Sequence, residues 1–154
     1  FKPTWSDMVD TFSRAERSRI MAAVKSKDTT PELLIRRLVH SFGYRYRLHV
    51  RSLPGTPDLV FPRLRKIIEV NGCFWHMHNC GRCRIPSSRR DYWIAKIERN
   101  AARDKRIRRE LRKLGWEVLV IWECQIQPSR EDRLRRRIVA FLEKDARTTG
   151  CRKT

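Results

Sequence analysis

The chain has 154 residues, 36 of them lysine or arginine against 17 acidic, giving a net charge of +19 and a pI near 11.0. That length predicts one domain, and the excess of positive charge points to a polyanionic partner. A hydrophobic share of 40% excludes a disordered basic tail, and no apolar run approaches the roughly 18 residues that a membrane span needs.

Residues 1–10 lack the apolar stretch of a secretory signal, so the protein is expected to be soluble and cytoplasmic, away from any membrane. Residues 1–12 have no sustained periodicity and read as an arm. Ser13 with Glu16 three positions on is a capping box, opening a helix through about residue 25. A second helix opens with Thr30 as N-cap and Pro31 in the first turn, carries Leu34, Leu38 and Phe42 as an apolar stripe, and stops at Gly43. Residues 44–50 alternate apolar with basic side chains and predict a strand. Residues 52–57 interrupt it with Pro and Gly, and residues 58–61 and 65–71 resume extended structure.

Residues 72–88 have no period and too many Cys and His side chains for an ordinary loop. A long helix over 89–114 turns Ile94, Ile97, Ala101, Asp104, Ile107, Leu111 and Leu114 inward, so Asp104 falls within the buried face. Gly115 ends it. Residues 116–122 are apolar apart from Glu117 and suit a central strand, and residues 130–145 form an amphipathic helix with Leu134, Ile138, Phe141 and Leu142 inward. A basic tail follows over 146–154. The elements make one α/β domain over 13–145.

Phosphodiester cleavage needs a cation to offset charge building on the phosphate, and a group to deprotonate or orient water. Asp58 begins a strand after Pro57, and Glu69 lies in the next strand, followed by Val70 and Asn71. This is the layout of the PD-(D/E)xK nucleases, with Asn71 where lysine is usual.

The cysteine count is odd, at five, and Cys73, Cys80 and Cys83 crowd together with His76 and His78. That pattern suits metal binding in a reducing compartment better than a disulfide framework. Cys73, His78 and Cys80 offer three ligands for a tetrahedral zinc. Cys124, just past the apolar strand, is favoured as the fourth, with Cys83 as its rival; four protein ligands would make the zinc structural. His76 is then left as a candidate general base, the alternative being a place in the zinc site.

Asp104, on a buried face, needs a partner, and a His76–Asp104 dyad would supply one. Glu32 either orients a water at the site or simply caps its helix. Phe74 and Trp75 are consecutive aromatics in a polar loop, a composition suited to wedges that unstack a base step. Trp93, behind Arg84, Arg89 and Arg90, is either a third wedge or core. The arginines around 84–109 and 130–137 suit phosphate contacts.

From about Ser13 to Glu123 the chain resembles the very short patch repair (Vsr) endonucleases. The matching stretches are Arg19-Ile20-Met21-Ala22-Ala23-Val24, Asp28-Thr29 with Glu32, Leu53-Pro54-Gly55-x-Pro57-Asp58, Gly72-Cys73-Phe74-Trp75-His76-x-His78-x-Cys80, Pro86 through Trp93, and Gly115-Trp116 through Cys124. The resemblance implies a restriction-endonuclease-like fold, a central mixed sheet flanked by helices with a structural zinc site. It implies a bacterial, nucleoid-associated and monomeric enzyme that uses Mg²⁺ to nick duplex DNA 5′ to the T of a T·G mismatch left by 5-methylcytosine deamination.

By the same resemblance, Asp58 and the Val70 carbonyl would hold Mg²⁺, His76 would be the base with Asp104 behind it, and Glu32 would support a water of the metal shell. Zinc would sit on Cys73, His78, Cys80 and Cys124. Phe74, Trp75 and Trp93 would intercalate, and residues 1–12 would clamp the DNA. Mismatch repair proteins and a cytosine methyltransferase would be its partners. Three positions depart from the family pattern: Asn71 replaces a histidine that can contact the scissile phosphate, Val70 replaces a threonine of which only the backbone carbonyl need meet the metal, and Glu69 replaces an apolar residue, making it a candidate second carboxylate ligand. These departures leave room for a relative that nicks unmismatched or modified DNA in restriction or defence.

Overall fold

The computed structural model describes residues 13, 15, 16, 19, 27–81, 84–87 and 89–144. The arm over 1–12, most of the first predicted helix, Cys83 and the tail over 146–154 lie outside them. Ser13 and Glu16 do make the reciprocal bonds of a capping box: Ser13 N–H donates to Glu16 Oε2 (2.8 Å) and Glu16 N–H to Ser13 Oγ (3.2 Å).

Helix α1 spans Thr30–Ser41, with Thr29 rather than Thr30 as its N-cap. The reason is spacing. Glu32 stands three residues after Thr29, so Thr29 Oγ1 accepts from Glu32 N–H and donates to Glu32 Oε1 (2.9 Å). The buried face is also one residue out of step with the expected stripe. Ile35 and Val39 are buried alongside Glu32 and Arg36, Leu38 and Phe42 only flank the core, and Leu34 is exposed.

Four strands follow in the order β1-β2-β3-β4: β1 Arg47–Leu48, β2 Leu59–Phe61, β3 Lys66–Asn71 and β4 Glu117–Trp122. β1, β2 and β3 pair antiparallel, while β3 and β4 run parallel, with Asn71 opposite Trp122. The parallel step requires a crossover, supplied by helix α2, Arg90–Lys113. Helix α3, Glu131–Glu143, closes the domain.

The strand expected over 44–50 shrinks to two residues. Tyr44 and Tyr46 turn their rings edge-on to Phe61, Tyr46 Oη donates to the Arg36 carbonyl (3.1 Å), and His49 adopts a left-handed backbone (φ 47°) that ends the pairing. β4 is terminal rather than central among the described residues. Helices cover both faces of the sheet, which explains its apolar run.

On one face Ile35 and Val39 of α1 and Leu134, Ile138 and Leu142 of α3 pack on Leu59, Phe61, Ile68 and Ile121. On the other, Leu111 of α2 and Trp116 meet Val60 and Ile67. Each such aliphatic side chain contributes roughly 1.5–3 kcal/mol by leaving water. Along α2 only Ile97 and Leu111 are fully buried, and Leu114, already the C-cap, is exposed. The topology brings the start of β2 and the ends of β3 and β4 to one rim of the sheet. Among the described residues no helix is long and apolar enough to cross a membrane.

Candidate active site and Cys/His cluster

Asp58 immediately precedes β2, and its Oδ2 accepts the Val70 N–H (2.9 Å) from β3. Extending the register of Leu59 with Ile68 by one residue makes Asp58 and Glu69 a facing pair on the α2 side of the sheet. Burial pushes the Asp58 carboxyl up to about 6; the charges of Glu32 and Glu69 add to this, while the Val70 N–H and Arg36 oppose it. The loop before Asp58 is pressed onto α2 at Gly55 (φ +76°), where a Cβ would lie 2.6 Å from Ile107 Cγ2.

The neighbouring carboxylates have cations of their own. Glu69 Oε2 accepts from Arg108 Nε (2.9 Å). Glu32 is buried, and its Oε2 accepts from both Asp28 N–H and Arg36 Nη2 (3.0 Å each), while Thr29 fills Oε1. Glu32 is thus engaged in capping α1, although its charge still reaches Asp58. Asp28, Glu32 and His49 lie close enough together to hold an ion, but the Arg36 guanidinium bonds all three. His49 Nε2 lies 3.1 Å from Arg36 Nη2, so the histidine joins the same buried cluster.

His76 and Asp104 are brought together. His76 Nδ1 bonds Asp104 Oδ2, so Nδ1 carries the proton and, in the neutral ring, Nε2 presents a lone pair. Burial alone would raise the Asp104 carboxyl, but the His76 bond and the charges of His76, Arg103 and Arg108 hold it below its ordinary range. Asn71 ends β3 on the same rim, buried, with no partner for its Nδ2 among the described residues.

Cys73, His78, Cys80 and Cys124 offer ligand atoms that all lie within 4.8 Å of one another. In a zinc tetrahedron, neighbouring sulfur and nitrogen donors stand roughly 3.6 Å apart. Cys124 Sγ and His78 Nδ1 are 3.5 Å apart. Burial pushes the Cys73 thiol up to about 12, and Cys124 and Cys80 beside it add to the rise, so a cation is what would make thiolates there. All three cysteines are free of disulfides, and the donor set fits zinc. His78 stacks flat on Trp122 (4.2 Å between centroids), which His76 also touches edge-on.

Phe74, Trp75 and Trp93 form one half-buried cluster with ring centroids 5.0–6.1 Å apart. Tyr92 extends it, Lys96 Nζ lies over the Trp75, Tyr92 and Trp93 rings, and Asn100 Nδ2 donates to the Trp75 carbonyl (3.1 Å). Arg84, Arg89 and Arg90 are exposed, the last two at the α2 N-terminus, where they add to the positive end of the helix dipole. Sequence reasoning did not single out Arg36, Arg108, Asn100 or Trp122. Two carried a signal: Arg36 follows Glu32, and Arg108 follows Asp104, by one helical turn.

Comparison with known proteins gives this arrangement a lineage. The family model for DNA mismatch endonuclease Vsr matches residues 9–82. The type II nicking enzyme V.XorIIP of Xanthomonas oryzae pv. oryzae is 50% identical over 119 residues, covering 77% of this chain and 88% of that protein. DNA mismatch endonuclease Vsr of Escherichia coli K12 is 39% identical over 120 residues, 78% of this chain and 77% of its own. The type II nicking enzyme V.NmeAIP of Neisseria meningitidis is 38% identical over 120 residues, 78% and 86% respectively. With identity at this level over most of each chain, the protein belongs to the Vsr family and is a DNA-nicking endonuclease.

Proposed function

We propose that this endonuclease cuts one strand of duplex DNA 5′ to the T of a T·G mismatch, the lesion left by deamination of 5-methylcytosine. The observation that carries the metal-dependent reading is the charge pattern at the rim. Glu32 and Glu69 are each bonded to an arginine, whereas no cation among the described residues bonds Asp58. The His76 imidazole, held by Asp104 through Nδ1, keeps Nε2 as its acceptor when neutral. The mismatch specificity is supported by the similarity to the Escherichia coli enzyme and by the aromatic cluster next to the cutting residues. The sheet is restriction-endonuclease-like (PD-(D/E)xK) in this reading, supported by Asp58 and Glu69 on neighbouring strands.

Mg²⁺, held by Asp58 and the Val70 carbonyl, would supply positive charge against the anionic phosphorane-like transition state. His76 Nε2 accepts a proton from the attacking water as its oxygen bonds phosphorus and the bond to the leaving oxygen breaks on the opposite side. Asp104 fixes the imidazole and stabilises its charged form. Asn71, in the place of an ionisable residue, donates through Nδ2 to the phosphate without carrying a proton. Glu32 acts through its charge and its hold on α1.

Zn²⁺ on Cys73, His78, Cys80 and Cys124 would fasten the segment that carries His76 to the end of β4. Phe74, Trp75 and Trp93 enter the base stack, Arg89 and Arg90 bind the flanking phosphates, and the arm over 1–12 clamps the duplex. The enzyme works as a monomer in the bacterial cytoplasm, beside mismatch repair proteins and a cytosine methyltransferase.

The test is nicking of end-labelled duplexes bearing one T·G pair or its T·A control, in several sequence contexts, with Mg²⁺ or EDTA, by the wild type and Asp58→Asn. Cutting of the T strand alone, lost in EDTA and in the variant, is expected. Equal cutting of T·A would overturn the mismatch specificity in favour of a second reading, a nickase of unmismatched or modified DNA in restriction or defence. That reading draws support from the relatives named type II nicking enzymes and from the departures at Glu69 and Asn71.

A further inference from the structure

Two facing carboxylates on adjacent strands can share a divalent cation, and Asp58 and Glu69 occupy such positions. Their environments nevertheless differ. Among the described residues Asp58 accepts only a backbone N–H, whereas Glu69 is bonded through Oε2 to Arg108 Nε at 2.9 Å, with the two side chains only 14% and 20% exposed. Arg108 lies one turn beyond Asp104 on α2, and its charge also acts on Asp104. The helix that holds the imidazole through Asp104 therefore holds Glu69 as well.

We propose that Arg108 is a positioning residue that withholds Glu69 from the metal, leaving Asp58 as the only carboxylate ligand of the centre. This rests on the reading of Asp58 as a metal ligand. If Glu69 turned to a cation at Asp58, it would abandon a largely buried guanidinium, and an unpaired buried charge opposes that motion. Coulomb attraction to a divalent ion favours it, so the outcome depends on Arg108 being present. With a single carboxylate, the free enzyme binds a hard cation weakly, and the phosphate of the bound DNA must supply the remaining charge. Cation loading then follows DNA binding, which keeps the hydrolytic centre incomplete until a duplex is seated.

The experiment is Mn²⁺ uptake by the DNA-free protein, read by electron paramagnetic resonance on wild type, Arg108→Met, Glu69→Gln, the double variant and Asp58→Asn, with circular dichroism to verify folding. Arg108→Met is expected to bind Mn²⁺ about tenfold tighter than wild type, the double variant to return to the wild-type level, and Glu69→Gln alone, which loses only a nearby charge, to keep uptake well above that of Asp58→Asn. Uptake by a folded Arg108→Met no tighter than wild type would overturn the inference. So would a fall of uptake in Glu69→Gln to the level of Asp58→Asn, an arm that remains decisive if Arg108→Met does not fold. Wild-type uptake by Asp58→Asn would instead overturn the reading of Asp58 itself.

Discussion

The Cys/His cluster and the Asp58 carboxylate share one rim of the sheet but are built on opposite plans. In the cluster four protein donors converge from two segments, 73–80 and Cys124, close enough to fill a tetrahedron by themselves. At Asp58 one carboxylate has a single oxygen bonded to backbone, and the acids around it are held by arginines. A shell completed by the protein fastens chain to chain; one left incomplete keeps room for water and phosphate. His76 lies inside the cluster's own segment, between Cys73 and His78, so whatever fixes the cluster also positions the imidazole proposed as the base of the open side.

Breaking the closed side should have the largest effect. Cys124→Ser is expected to remove bound zinc, measured by elemental analysis, to lower the melting temperature by more than about 10 °C, and to abolish nicking. A variant that retained full stability would show that these thiols merely pack.

Breaking the open side separates activity from stability. Asp58→Asn should cut the nicking rate by roughly 10³-fold or more. It should also melt a few degrees higher at pH 7.5 in EDTA, because the ionised carboxylate is disfavoured in the fold. The Asp58 carboxyl stands at about 6 in the fold, above its ordinary value, so the folded state holds that proton more tightly than the unfolded chain does. Stability from this group is present in full below the unfolded value, near 4, and is lost as pH rises through 6. The melting advantage of Asp58→Asn should therefore vanish by about pH 4.

The link between the two sides is smaller in effect. His76→Ala should slow single-turnover nicking by about 10²–10⁴-fold, and Asp104→Asn by about 10–100-fold. Because both act through one imidazole, the double variant should be little worse than His76→Ala; additive losses would separate Asp104 from His76. The smallest effect sharpens the picture of Asp58: Mn²⁺ affinity should fall about tenfold per pH unit below 6, as protons compete for its carboxyl. A flat profile there would mean that another group dominates cation binding.

The donors of both sides were legible in the sequence because local spacing exposes them. Cys73, His78 and Cys80 fall within eight residues, Asp58 follows a Pro-Gly-Thr-Pro turn, and Asp104 interrupts a helical stripe of isoleucines and leucines. What local spacing does not contain is the choice among equivalent-looking partners. Arg36 and Arg108 each stand one helical turn after an acid, but that spacing does not say that His49 and Glu69 will reach them from other segments. In α1 the Leu34/Leu38/Phe42 pattern competes with Ile35/Val39 one residue on, and the second wins because it turns Glu32 and Arg36 toward partners in the 28–29 and 49 segments. The β1 strand was overextended for a related reason, since the alternation over 44–50 carries no sign that Tyr46 bonds α1.

Gly55 carries a consequence for how tightly the machine must be assembled. The loop leading to Asp58 touches the Ile107 side chain through a missing methyl group, in a backbone conformation that other residues resist. Ile107 belongs to the same helix as Asp104 and Arg108. One contact between a turn and a helix thus helps set the spacing between the carboxylate and the imidazole's support, and a chemically inert methyl placed there would act as a shim, pushing apart two groups that the proposed reaction brings to one phosphate.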